Sequence, residues 1–358
     1  MPSSDAFSSD YLTARSRFRE AAKVLGWSIE SIPLGGAGPN GETLTLDAAC
    51  SPRTSSGPVL ILSSGLHGIE GFFGSAVQVA LLEHWADFGP PPVGCLLLHA
   101  LNPYGFAWRR RFDENNVDPN RNFLLAGQPY EGAPPGYSRL DPLLNPQRPP
   151  SRWEPFLCQA LWAIVRQGMP ALRQTIAGGQ FAFPQGLFYG GGEPTALHGL
   201  LREHLSRWLR DATRVMHLDF HTGLGRRDAW KLLVDYPLDD ADRRCLTDVF
   251  GADAFSESAA SGIAYEARGG LGAWCVAQGL APEYRYLCAE FGTYGPLAVL
   301  AGLRAENQAH HFGQPGSAST ERVKRRLAEL FCPADPAWRA RVLEQSQLLV
   351  DQAIAGLQ

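Results

Sequence analysis

A histidine and a glutamate three residues apart, on a turn rich in glycine, form the first group able to do chemistry: Gly65-Leu66-His67-Gly68-Ile69-Glu70-Gly71. Imidazole nitrogen and carboxylate oxygen are standard zinc ligands. The turn follows an apolar run at residues 58–64 that reads as a buried strand, and ligands of open α/β sheets bind beyond the carboxyl ends of strands. So short a pattern is common by chance, and a loop histidine beside a helix-capping glutamate accounts for it equally well. A second group, His217-Leu218-Asp219-Phe220-His221-Thr222-Gly223, puts His217, Asp219 and His221 on one face of a strand, with His221 at its carboxyl end as the best-placed ligand. His217 reads as a hydrogen-bonded histidine of the core or surface. Asp219 reads as support either for a neighbouring ligand or for the turn.

A third group, Cys288-Ala289-Glu290-Phe291-Gly292, sets a carboxylate in an apolar strand that ends in glycine. Burying an unpaired charge is costly, so Glu290 needs either a core arginine or a role at a metal site, where it could take a proton from water and pass it to a leaving amine. The fourth group is Arg109-Arg110-Arg111-Phe112 with Val117-Asp118-Pro119-Asn120-Arg121-Asn122-Phe123. Taken alone it reads as a solvated charged loop. Beside a metal site, its guanidinium forks could bind a carboxylate or hold an oxyanion.

These residues need a frame to bring them together. Helical spacing of Tyr11, Ala14, Phe18, Ala21, Ala22 and Leu25 predicts an amphipathic helix over residues 9–25. Strands are expected at 43–49, 58–64 and 95–100, with a helix over 72–85 between the last two. Strand, helix, strand is a βαβ unit, which implies a parallel or mixed sheet covered by helices. Further helices are expected at 153–166, 200–210 and 337–357, and further strands at 215–220, 231–234 and 287–291. Residues 127–150, dense in proline, glycine and asparagine, read as a long surface loop, and 178–195 as another. With no internal repeat and no clean linker, residues 1–358 are expected to form one catalytic domain.

Composition narrows the partners. With 45% hydrophobic and 19% charged residues the chain is expected to be globular, and a formal charge of −4 gives no electrostatic reason for nucleic acid or an anionic membrane as partner. No run reaches the roughly 18 apolar residues of a membrane span, and the first twenty residues lack a secretory pattern, so a cytoplasmic protein is expected. Seven scattered cysteines without a CxxC spacing argue against a disulfide framework or a thiolate zinc site.

Taken together, the segments FSSDYLTARSRF, LHGIEGFFGS, NPYGFAWRRRF with DPNRNF, LDFHTGLG and AEFGTYG resemble, in that order, the zinc metallocarboxypeptidase superfamily. The resemblance is nearest to a bacterial branch related to the succinylglutamate desuccinylase and aspartoacylase group. It implies a mixed, mostly parallel central sheet of about eight strands flanked by helices. It also implies one Zn²⁺ held by His67, Glu70 and His221 with an open position for water, and Glu290 as general base. Arg111 corresponds to the arginine that polarises the substrate carbonyl, with Arg109 as a near neighbour in an unsettled register. Asn120 and Arg121 resemble the pair that grips a free carboxylate, and Asp118 the carboxylate that orients the first zinc histidine. Pro119 stands where relatives more often have leucine or alanine. For the tyrosine that closes over substrate, Tyr265 and Tyr294 both remain candidates. The implied substrate is a peptide or an N-acyl amino acid with a free carboxylate. The implied activity is a metallocarboxypeptidase-type amide hydrolase, with an N-acyl amino acid deacylase as alternative and a metal- or ligand-binding module without catalysis as the non-enzymatic one. The sequence leaves the oligomeric state open, a homo-oligomer included.

Overall fold

A computed structural model describes residues 4–54, 56–151, 153–257 and 268–358 of the chain. Among the described residues eight strands form one sheet: β1 (Ser28–Ala37), β2 (Thr43–Cys50), β3 (Ser56–Ser64), β4 (Gly94–His99), β5 (Asp211–Thr222), β6 (Trp230–Val234), β7 (Phe255–Glu257) and β8 (Glu283–Phe291). Their order across the sheet is β1-β2-β4-β3-β5-β8-β6-β7. The central strands β4, β3, β5 and β8 run parallel, while β1, β2 and β6 pair antiparallel towards the flanks. The architecture is α/β with a mixed, mostly parallel centre. Burial explains that centre: β3 (SGPVLILSS), β4 (GCLLLH) and the end of β5 (VMHLDFHT) are near-continuous apolar runs, as strands covered on both faces require.

Among the described residues twelve α-helices cover or extend the sheet: α1 (Tyr11–Val24), α2 (Gly71–Phe88), α3 (Pro103–Ala107), α4 (Tyr137–Leu144), α5 (Phe156–Gln167), α6 (Met169–Ala177), α7 (Ala196–Trp208), α8 (Asp240–Phe250), α9 (Leu271–Ala277), α10 (Pro296–Phe312), α11 (Ala318–Phe331) and α12 (Pro336–Leu357). The opening helix starts where Asp10 caps the Thr13 amide, and its buried stripe is Tyr11, Ala14, Phe18 and Ala22. Most buried apolar side chains belong to one cluster around the sheet, which takes in Leu60, Leu62, Leu97 and Leu218. A smaller cluster stands apart from it and gathers Tyr137, Leu140, Leu144, Ala163 and Leu172 from α4, α5 and α6.

Both expected surface loops need correction. Residues 137–144 within the first form α4, whose Tyr137, Leu140 and Leu144 are buried; the helix is a single short amphipathic run among turn residues, and Pro142 within it masks the pattern. The second, 178–195, is a loop as expected but only partly at the surface: Ala182, Pro184, Gln185, Gly192, Glu193 and Pro194 are exposed, whereas Gln180 and Leu187 are fully buried and Gln180 is bridged to Tyr189. The other expected helices and strands are present with their ends shifted by a few residues, whereas β1, β7, α3, α6, α8, α9, α10 and α11 were not expected.

Candidate metal centre

Three adjacent parallel strands deliver the candidate residues to one place. His67 and Glu70 lie in the turn after β3, His221 is next to last in β5 and Glu290 next to last in β8. In the parallel ladder His221 pairs with Glu290, so the two side chains stand beside each other on one face. Glycine permits the turn after β3: a Cβ on Gly68 would meet the backbone of Gly105 at 2.1 Å, so only glycine lets α3 approach the turn that carries His67 and Glu70 so closely.

The donor atoms converge. His67 Nδ1 is 2.9 Å from Glu70 Oε1, His221 Nδ1 is 2.9 Å from Glu70 Oε2, and the two Nδ1 atoms are 3.2 Å apart. All three residues are buried. A tetrahedral zinc ion, at roughly 2.0–2.2 Å from each donor, needs donors about 3.3–3.5 Å apart, so expansion by a few tenths of an ångström would admit it. The outer nitrogens are turned away from this point by carboxylates: His67 Nε2 lies 3.2 Å from Asp118 Oδ1, and His221 Nε2 lies 2.6 Å from Asp219 Oδ2. Carboxylates behind histidine ligands fix the ring orientation and leave the inner nitrogen as the donor. Two histidines and a glutamate with such backing fit zinc in the donor set, the spacing and the ring orientation.

Charge at the site follows from burial and these pairs. Burial would lift Glu70 and Asp118, but His67 and His221 around the first, and Arg111 and His67 around the second, hold both carboxyls below their ordinary values. Burial would lower His221, but Asp219 and Glu70 override it and hold the imidazole well above its ordinary value. Glu290 goes the other way. Burial, then the neighbouring Glu70 charge, pushes it up to about 8, although Leu224 N donates to its Oε1 at 2.8 Å. Two carboxyls in one buried site, one driven down and one driven up, is the pattern of groups with different tasks.

The three consecutive arginines take three directions. Arg111 turns inward: Nε donates to Asp118 Oδ2 at 2.9 Å, Nη2 lies 2.6 Å from His67 Nε2 and Nη1 lies 3.6 Å from Glu70. Arg110 is fully buried on Glu306 and Asn116, a structural anchor. Arg109 departs from its expected role, since it reaches out to Glu321 at 3.7 Å. Consecutive side chains in a turn cannot share a direction, and the register is settled by Asp118, which claims Arg111. Asn120 faces the same cavity as His67, Glu70 and His221, with its Oδ1 accepting from Leu271 N at 3.0 Å. Arg121 is buried behind it; Nε and Nη2 donate to Ala177 O at 3.0 and 2.7 Å, and Nη1 donates to Asn120 O at 2.6 Å. Tyr294 donates to Glu329 at 2.5 Å and does not line the cavity, so it is no closing tyrosine in this conformation. Tyr265 lies outside the described residues.

Behind the ligands runs a polar network only partly anticipated. Asp219 accepts from Ser63 (2.6 Å) and Tyr286 (2.7 Å), and His217 links the Ser63 and Tyr284 hydroxyls at 2.7 and 2.9 Å. His217 is thus a hydrogen-bonded core histidine. The alternation along β5 pointed to Asp219; nothing in sequence pointed to Ser63 or Tyr286, which arrive from neighbouring strands.

His67, Glu70, His221 and Glu290 form one end of a cavity of about 480 Å³, called here the metal end for the ion these residues could hold. Its remainder is a lobe walled by α4, α5, α6 and α10, with Leu140, Leu144, Ala163, Ile164, Leu172 and Leu300 among its lining.

The family described as "Protein of unknown function (DUF2817)" matches residues 7–345. The chain belongs to this family. No curated protein matches the chain. Similar solved structures include bovine thrombin-activatable fibrinolysis inhibitor in complex with tick carboxypeptidase inhibitor (12% identity, 96% of this chain and 98% of that one, TM-score 0.49). Others are carboxypeptidase A from Helicoverpa armigera (13%, 91% and 74%, TM-score 0.45) and succinylglutamate desuccinylase from Chromobacterium violaceum (14%, 89% and 74%, TM-score 0.40). At these values none of them assigns an activity to the chain.

Proposed function

We propose that the protein is a zinc-dependent hydrolase of metallocarboxypeptidase type that cleaves an amide bond next to a free carboxylate. The observation that carries this reading is the convergence of His67, Glu70 and His221 on one point, with Glu290 beside them and driven towards a neutral-range pKa. When bound there, zinc supplies a Lewis acid that polarises a carbonyl and lowers the pKa of water to about 7. Glu290, tied by one oxygen to Leu224 N, takes the proton from the attacking water and later gives it to the leaving amine. Arg111, held rigid by Asp118, directs positive charge at the developing oxyanion. Asn120 offers its amide to the substrate carboxylate from the cavity wall, and Arg121 fixes the Asn120 main chain and adds its charge from behind. Burial of His67, Glu70, Arg111, Arg121, His221 and Glu290 strengthens their electrostatic effect.

A small pocket lined by extra cations would favour a short acyl amino acid, and an open groove a peptide. The cavity is neither, being large and mostly apolar. The test is hydrolysis of a panel of N-acyl amino acids and short peptides by zinc-loaded protein, by chelator-treated protein and by Glu290→Gln. The proposal expects turnover only in the first. A protein that binds zinc but hydrolyses nothing, with Glu290→Gln indistinguishable from the parent, would instead be a binding module.

A further inference from the structure

We infer that the apolar lobe holds the acyl half of the substrate, and that this half is a long hydrocarbon chain: the substrate is an N-(long-chain acyl) amino acid. The inference rests on the proposed amide hydrolysis and names its substrate class. Three properties of the lobe lead to it. Among the described residues, every charged side chain that lines the cavity, His67, Glu70, Arg111, His221 and Glu290, is at the metal end. The lobe offers a carboxylate no partner, so the half of the substrate that carries the carboxylate stays near Asn120 and the uncharged half enters the lobe.

The walls are helices, whose main-chain N–H and C=O groups are committed to their own hydrogen bonds. An extended peptide placed against them would leave its amides unpaired among leucine, isoleucine, alanine and phenylalanine side chains, at a cost of roughly 1–3 kcal/mol for each lost partner. A hydrocarbon chain has no such groups to satisfy. Size agrees: a cavity of about 480 Å³ lies within the roughly 300–1,000 Å³ of pockets that take drug-sized ligands. An acetyl or succinyl group would leave most of the lobe unfilled. Leu140, Leu144, Ala163 and Leu172 of the lining belong to the smaller cluster, while Ile176 and Leu300 pack against both clusters, so the lobe lies between the two. A hollow with apolar walls opening on a charged site is the form of a ligand pocket.

Two measurements test this. The first is kcat/KM for acetyl, hexanoyl and dodecanoyl derivatives of one amino acid, alongside a peptide with the same C-terminal residue. The expected result is a rise with chain length, up to about fourfold per buried methylene and at least 100-fold from acetyl to dodecanoyl, with the dodecanoyl compound ahead of the peptide. In Ala163→Trp, which fills the lobe from α5, the dodecanoyl-to-acetyl ratio should collapse. Equal rates for acetyl and dodecanoyl compounds, or the peptide ahead of both, would overturn the inference and leave amide hydrolysis standing. The second is calorimetric binding of the same compounds to zinc-loaded Glu290→Gln, which needs no turnover and does not depend on Ala163→Trp folding. Tight binding of the dodecanoyl compound, with no hydrolysis of any compound by the zinc-loaded parent, would defeat the proposed function but support the lobe; equal binding of dodecanoyl and acetyl compounds would defeat the lobe assignment.

Discussion

The two ends of the cavity are built on opposite principles. At the metal end, side chains from β3, β5 and β8 meet because three parallel strands stop at the same level, and nearly every polar atom is held by a second polar group: His67 by Asp118, His221 by Asp219, Arg111 by Asp118, Glu290 by Leu224 N. At the lobe end, helices α4, α5, α6 and α10 present apolar side chains to space. The first region fixes a few atoms within tenths of an ångström, as chemistry demands. The second fixes only a volume and its polarity, as accommodation of a flexible chain demands. Substitutions should therefore sort by end: those at the metal end act on metal and rate, those in the lobe on chain length alone.

The largest effect is expected from His221→Ala, which removes a ligand from a three-ligand site and should leave a protein that retains no zinc after desalting and has no turnover. Metal analysis checks it, and full zinc content would break the comparison at its root. Glu290→Gln should keep zinc and lower kcat by about 10²–10⁴, the usual worth of general acid–base catalysis. Asp118→Asn and Asp219→Asn, which touch the histidines and not the metal, should each weaken zinc affinity by about 10–100-fold in competition with a chelator.

Proton linkage gives the next prediction. Without metal, burial pulls His221 down but Asp219 and Glu70 raise it further, and burial with Glu70 lifts Glu290 to about 8, so both groups carry protons at neutral pH. Zinc requires the inner nitrogen of His221 free of its proton, and an added cation favours ionised Glu290. Uptake therefore expels protons, and zinc affinity should climb between about pH 6 and 8 by up to tenfold per unit for each proton released. An affinity flat over that range would show that the pairing around His221 does not protonate it. The smallest effect separates filled core from hollow: Leu62→Ala in β3, fully buried, should cost about 2–5 kcal/mol in denaturant unfolding, while Leu143→Ala, half-buried against the lobe, should cost less than about 1 kcal/mol because few atoms face it on the cavity side.

The contrast also explains what could be read from sequence. Strands β3, β4 and β5 are apolar runs that end in glycine or in a polar cluster, so both the strands and the ligands at their ends were legible, and Glu290 stood out as a carboxylate in such a run. The edge strand β1, SIESIPLGGA, was not, since it buries only Leu34 and lacks the alternation of a half-buried strand. The lobe was not legible for a related reason. Helix α5 was expected, but its inner face, Phe156, Ala160 and Ala163, and its exposed outer face, Leu157, Leu161 and Val165, are both apolar, so periodicity could not say which side is covered or that the covered side faces a hollow. The direction of each arginine in the run at 109–111 depends on Glu321, Glu306 and Asp118, which lie far apart in sequence or beyond a turn. A pattern of types can nominate such residues; only the partner that claims each one decides its role.

One measurement bears on the central claim more directly than any activity assay: an anomalous difference map at the zinc absorption edge from crystals of zinc-loaded protein. The account predicts a single peak bonded to His67 Nδ1, a Glu70 oxygen and His221 Nδ1, with Glu290 adjacent and unbonded. A peak on other residues, or none between these three, would contradict it.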